Sequence, residues 1–119
     1  MMWMLIWVGL GGAVGAMARY SLGLLFAGQT FPWGTLTINV AGSFFIGALW
    51  SFCGEQNWFI SWGRGFLLVG VLGGFTTFSA FSLETLLLIN NGRIAVATTY
   101  VMASVGLCLL SVWLGSRIG

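Results

Sequence analysis

The sequence has no histidine and no lysine, a single proline and two cysteines, and only 5% of its 119 residues are charged. Each shortage excludes something. A soluble domain carries about 25% charged residues, so a surface this poor in charge would not stay dissolved. Without histidine or lysine, and with no nucleophile beside a base, the chain lacks the usual means of an enzyme. Its net charge of +2 is too small and too dispersed for a nucleic-acid surface. Cys53 and Cys108 form no CxxC pair, metal cluster or disulfide framework. Cys108 sits in an apolar run, where an inert buried thiol is the ordinary reading. The N-terminus "MMWMLIWVGLGG" has no basic stretch, so its apolar run is expected to remain as a span rather than be cleaved.

What is present is hydrophobic: 59% of the residues, with a mean hydropathy of +1.02. A membrane span needs about 20 apolar residues. Four such runs fit in one domain, residues 1–119: about Trp3 to Ala27, Trp33 to Phe52, Gly65 to Ile89 and Ile94 to Leu114. The runs are continuous and lack strand alternation, which points to helices rather than a barrel. Pro32 suits a helix start, "NNGR" is a tight turn signal, and the tryptophans fall near span ends as interfacial anchors do. The longer connection "CGEQNWFISWGR" joins the second and third spans.

The arginines give no preferred orientation. Arg64 and Arg117 fall on the side of the termini, Arg19 and Arg93 on the other, and the positive-inside rule then has nothing to choose between. A chain that inserts both ways up could form an antiparallel homodimer, a two-chain version of the inverted repeat of many transporters. The 19 glycines, among them Gly11 with Gly15 and Gly70 with Gly74, allow close helix approach, within the chain or between chains.

Polar residues run along the spans in stripes. Thr35, Asn39 and Ser43 share one helix face, as do Tyr100, Ser104, Cys108 and Ser111. Asn39 suits an interhelical clamp or a ligand contact equally. Both stripes are donors without a carboxylate, whereas a cation path is expected to use acidic side chains or carbonyl rings. Within the apolar runs only Arg19 and Glu84 ionise. Arg19 either snorkels to the interface or draws anions to a pore mouth. Glu84 either snorkels, pairs with an arginine or lines a vestibule. In "GGFTTFSAF", residues 73–81, two glycines and three hydroxyls make a mid-span break plausible. A break at that depth must line a cavity or be buried in protein, and it frees carbonyls that can hold a cation. Phe78 and Phe81 would share a face beyond it, and a phenyl edge is electropositive.

The segments "GGAVGAMARY", "GTLTINVAGSFFIG" and "GGFTTFSAF", in that order and across the whole chain, resemble three motifs of the bacterial fluoride channel family, the Fluc or CrcB proteins. The resemblance implies an all-α integral membrane protein with four transmembrane helices, the third broken mid-span, assembled as an antiparallel dual-topology homodimer. It implies passive fluoride export across the bacterial inner membrane through two pores, each lined by both subunits. It implies a central structural sodium ion held by the backbone carbonyls of Gly73 and Thr76, a phenylalanine pair at Phe78 and Phe81, and a pore asparagine at Asn39. Ser79, Tyr100, Ser104 and Thr35 correspond to the family's polar track, and Arg19 to the arginine of its first motif. Two positions depart from the pattern: Ala80 stands where many relatives have threonine, and Cys108 where some have serine. The rivals are a small dual-topology multidrug exporter and a non-transporting membrane assembly subunit. The exporter needs a carboxylate in the first span, which has none. The subunit leaves the convergence of the polar features unexplained.

Overall fold

A computed structural model describes residues 2–118 and is all-helical; Met1 and Gly119, the ends of the expected domain, lie outside the described residues. Its helices are α1 (Met2–Leu24), α2 (Trp33–Cys53), α3 (Phe59–Leu72, wound as a π-helix), the single turn α4 (Gly73–Phe75), α5 (Phe78–Asn90) and α6 (Ile94–Ser116). α3 to α5 together form the third of four helical segments that, among the described residues, are long and apolar enough to cross a membrane. The chain is a multi-pass membrane protein.

Local chemistry sets most helix ends. α1 stops at Leu24, three residues short of the expected Ala27. The chain there tightens through Leu25 N–H to Leu22 O and Phe26 N–H to Gly23 O, both 3.1 Å, then turns at Gly28 with φ +86°. Gly92, in "NNGR", turns the chain into α6 with φ +76°. Only glycine takes these left-handed conformations without strain. α2 begins directly after Pro32.

The third span starts six residues earlier than expected, at Phe59 rather than Gly65. Arg64 lies within this earlier start, and its guanidinium lies over the Trp50 ring, 5.0 Å from the centroid. Stacked there, the charge stays at the helix ends and the apolar stretch "FISWG" is free to wind. Phe59 is fully buried. Arg117 stacks on Trp113 in the same way, at 4.9 Å. All seven tryptophans are exposed to some degree, and all but Trp7 lie within a turn or so of a helix end.

The bundle consists of two parallel pairs. α1 lies along α3 and α4: a Cβ on Gly11 would strike the Phe66 carbonyl, one on Gly15 the Val71 carbonyl, and one on Gly74 would sit 2.6 Å from the Gly12 carbonyl. The rising numbers on both sides show that these helices run the same way. α2 and α6 are joined likewise, with Ser111 bonded to the Val40 carbonyl and Gly115 against the Phe44 carbonyl. The small-residue spacings read as possible chain-to-chain contacts therefore serve packing inside the chain, where backbone-to-backbone approach replaces a hydrophobic driving force that lipid does not supply.

Candidate functional site

The third span changes course at Thr76 and Thr77, whose backbones are extended (φ −85°, ψ 158° and φ −152°, ψ 122°). Two side chains account for this. Asn39, from α2, donates through Nδ2 to the Thr77 carbonyl (3.0 Å) and accepts the Thr77 N–H on Oδ1 (2.8 Å). Thr77 in turn caps α5, its hydroxyl accepting the Ala80 N–H at 3.1 Å. Of the two roles open to Asn39, the structure realises the clamp.

These bonds redirect donors that a continuous helix would use. The Thr77 N–H would close on the Gly73 carbonyl four residues back; it closes on Asn39. The Ala80 N–H would close on the Thr76 carbonyl; it closes on the Thr77 hydroxyl. The carbonyls of Gly73 and Thr76 thus lose their helical partners. The Gly74 carbonyl accepts Arg19 Nε at 3.2 Å. Arg19 is half-buried and tied to the third span.

Two cavities flank this segment, and Thr77 lines both. The larger, about 590 Å³, holds Arg19, Thr35, Glu84 and Arg93, with Ala80 in its wall. Glu84 accepts hydrogen bonds from Thr35 Oγ1 and Tyr100 OH, each at 2.9 Å. Neither snorkelling nor an arginine partner describes it: two hydroxyls from α2 and α6 satisfy the carboxylate. Thr35 and Tyr100 have one proton each and give it to Glu84. Tyr100 is fully buried and touches Phe81, with ring centroids 5.1 Å apart.

The smaller cavity, about 320 Å³, is lined by Asn39, Ser43, Thr76, Thr77, Phe78, Phe81, Ser104 and Cys108, with apolar residues and no charge. Phe78 and Phe81 stand 5.4 Å apart at an interplanar angle of 50°. Ser104 is 7% exposed, and its hydroxyl is the one buried side-chain oxygen or nitrogen among the described residues without a hydrogen-bond partner. An orphaned buried hydroxyl costs about 1–3 kcal/mol, which a donor-seeking ligand would recover.

The expected residues thus divide. Asn39, Thr76, Phe78, Phe81 and Ser104 meet at the smaller cavity; Arg19, Thr35 and Glu84 meet at the larger; Tyr100 is buried and reaches Glu84. Gly73 and Ser79 line neither cavity and are exposed, Ser79 Oγ lying 3.2 Å from Thr77 Oγ1. Ser111 leaves its stripe and donates across to the Val40 carbonyl at 2.7 Å, an interhelical tie. Thr77 and Arg93 were not singled out as site residues. A threonine three residues before a helical N–H is a capping signal that could have marked Thr77.

Comparison with known proteins is consistent along the chain. The profile of the family described as "CrcB-like protein, Camphor Resistance (CrcB)" matches residues 6–116. A "Fluoride-specific ion channel FluC" from Opitutus terrae is 47% identical over 115 residues, covering 92% of this chain and 87% of the relative. One from Rhizobium meliloti is 49% identical over 111 residues, covering 91% and 89%. One from Magnetococcus marinus is 45% identical over 116 residues, covering 95% and 94%.

Proposed function

The chain belongs to the CrcB-like family, and from that premise we propose that it is a fluoride channel that lets the ion leave a bacterial cell passively across the inner membrane. The observation that carries the reading is the unpartnered, buried hydroxyl of Ser104, a residue that lines a small uncharged cavity with Phe78 and Phe81. Fluoride is compact and strongly hydrated, so a dry passage must replace its water with donors. Ser104 offers a free proton. The two phenyl edges offer weaker positive contacts that do not hold the ion too long. Arg19 and Arg93 give the larger cavity a positive lining that concentrates anions at its mouth. Thr35 and Tyr100 join the track through Glu84, since an ion passing them would take protons now directed at that carboxylate.

The reading extends to a dimer with two pores. Phe78 is 77% exposed at mid-span, and Gly73 and Ser79 are exposed beside it. Freed backbone groups are tolerated at membrane depth only under cover of protein or facing a cavity. A second copy in antiparallel orientation would supply the cover, and the balanced arginines permit that orientation. The donor set at the break suits a sodium ion: carbonyl oxygens of Gly73 and Thr76 stripped of their helical N–H partners are hard ligands of the kind alkali cations take. Bound there, sodium would neutralise exposed carbonyl dipoles between the two chains. The chain's own part is to keep those carbonyls free, through Asn39 and Thr77.

Fluoride efflux from liposomes holding the purified protein tests the reading. Fast efflux that excludes chloride is expected, with Phe81→Ile and Phe78→Ile strongly reduced. An assembled wild-type protein without efflux would overturn it. Purification in a large organic cation instead of sodium should impair assembly or activity; indifference would remove the sodium ion from the proposal.

A further inference from the structure

Cys108 takes no part in the mechanism above, yet it lies one helical turn from Ser104 on α6, and both line the 320 Å³ cavity. The thiol is half-buried and free. The neighbouring Ser104 hydroxyl is more than nine-tenths buried and lacks any partner. No charged side chain lines the space. A soft sulfur, an idle hydroxyl proton and an apolar, uncharged groove together match one class of ligand: a neutral mercuric halide. Mercury is a soft metal that thiolate selects. Its two-coordinate linear complexes need a single protein sulfur, and a neutral species enters an uncharged cavity without the desolvation penalty of an ion.

We propose that Cys108 and Ser104 form a binding site for mercuric chloride whose occupation closes the fluoride path. The step is a ligand exchange. The thiol loses its proton, a sulfur–mercury bond forms, one mercury–chloride bond breaks, and the proton and the released chloride pass to solvent. Mercury keeps its oxidation state and its second chloride, and Ser104 O–H donates to that retained chloride. The adduct then occupies the space between α6 and the Phe78–Phe81 pair, and it takes the buried donor that Ser104 holds for the transported ion. Relatives with serine in place of Cys108 would lack this sensitivity.

The inference rests on the channel reading, so its test separates the two. The other thiol, Cys53, is the last residue of α2 and lines neither cavity. Cys53→Ser protein in liposomes isolates Cys108. On exposure to mercuric chloride, intact-mass measurement should show one mercury per chain, and fluoride efflux should be lost and return with dithiothreitol. The Cys53→Ser, Cys108→Ser double variant should take up no mercury and keep its own untreated rate. A mercury adduct on Cys108 without loss of efflux would overturn the proposal. So would the absence of an adduct, or a block that persists in the double variant. If untreated protein shows no efflux, the channel reading falls, and the adduct count still upholds or overturns the thiol site.

Discussion

The two cavities share a wall at Thr77 and differ in nearly everything else. In the larger, polar groups satisfy one another: Thr35 and Tyr100 hold Glu84, and Arg19 holds the Gly74 carbonyl. In the smaller there is no charge, and Ser104 is left unsatisfied. The large cavity can gather anions by field alone, which demands no contact. The small one can recognise an ion only by touching it, and an idle donor is the mark of a place kept for something else. On the proposed channel reading, attraction and recognition would fall on different sides of one residue.

Substitutions on each side should separate these roles. The largest effect is expected at the wall. Asn39→Leu strips Thr77 of both bonds and leaves two buried backbone groups unsatisfied, at about 1–3 kcal/mol each. Thermal unfolding in detergent should fall steeply and efflux should vanish; unchanged stability would refute the clamp. Ser104→Ala comes next, with a sign opposite to expectation for a buried polar residue. Stability should hold or rise, while efflux slows about ten- to a hundredfold, since a hydrogen bond to a charged partner is worth about 1.5–3 kcal/mol. A variant that loses stability but conducts normally would make Ser104 a structural residue.

On the other side, Glu84→Gln keeps one acceptor oxygen, turns the position facing the other hydroxyl into an N–H donor, and removes the charge. A loss of about 1–2 kcal/mol is expected, read by the same unfolding measurement, and a larger loss would mean the carboxylate has further partners. The smallest change should come from Arg93→Gln: slower efflux at low salt, by less than about tenfold, fading as salt screens the field. An effect that ignores salt would show that Arg93 contacts the ion instead of attracting it.

Much of this was legible in the sequence, because apolar run length and turn glycines govern span number and ends wherever lipid is the solvent. The early start of α3 was hidden because Arg64 reads as a loop residue until Trp50, fourteen positions back, is placed beneath it. The helical stripes grouped Ser104 with Cys108 at one cavity, but they also joined Thr35 to Asn39 and Ser104 to Ser111, which the structure sends to different places. A stripe says which way a side chain points and not whether its hydrogen bond is already taken. That depends on the helix opposite, which is why Thr35 and Tyr100 turned out occupied and Ser104 idle. Thr77 has two roles: a hydroxyl that caps α5, which a capping pattern reveals, and a backbone paired with Asn39, which no sequence pattern reveals.

The pairing of Asn39 with Thr77 also has a genetic side. One side chain offers a donor and an acceptor on the same edge, as a neighbouring β-strand would, to a residue that has no strand beside it. A single base change in an asparagine codon yields Asp, His, Ile, Lys, Ser, Thr or Tyr. Asp has lost the donor, Lys the acceptor and Ile both. The lone hydroxyls of Ser, Thr and Tyr have one atom to offer where two are needed, and the two nitrogens of His point to different sides of its ring. Position 39 therefore stands on a mutational island: every one-step path away from it breaks the wall between the two cavities.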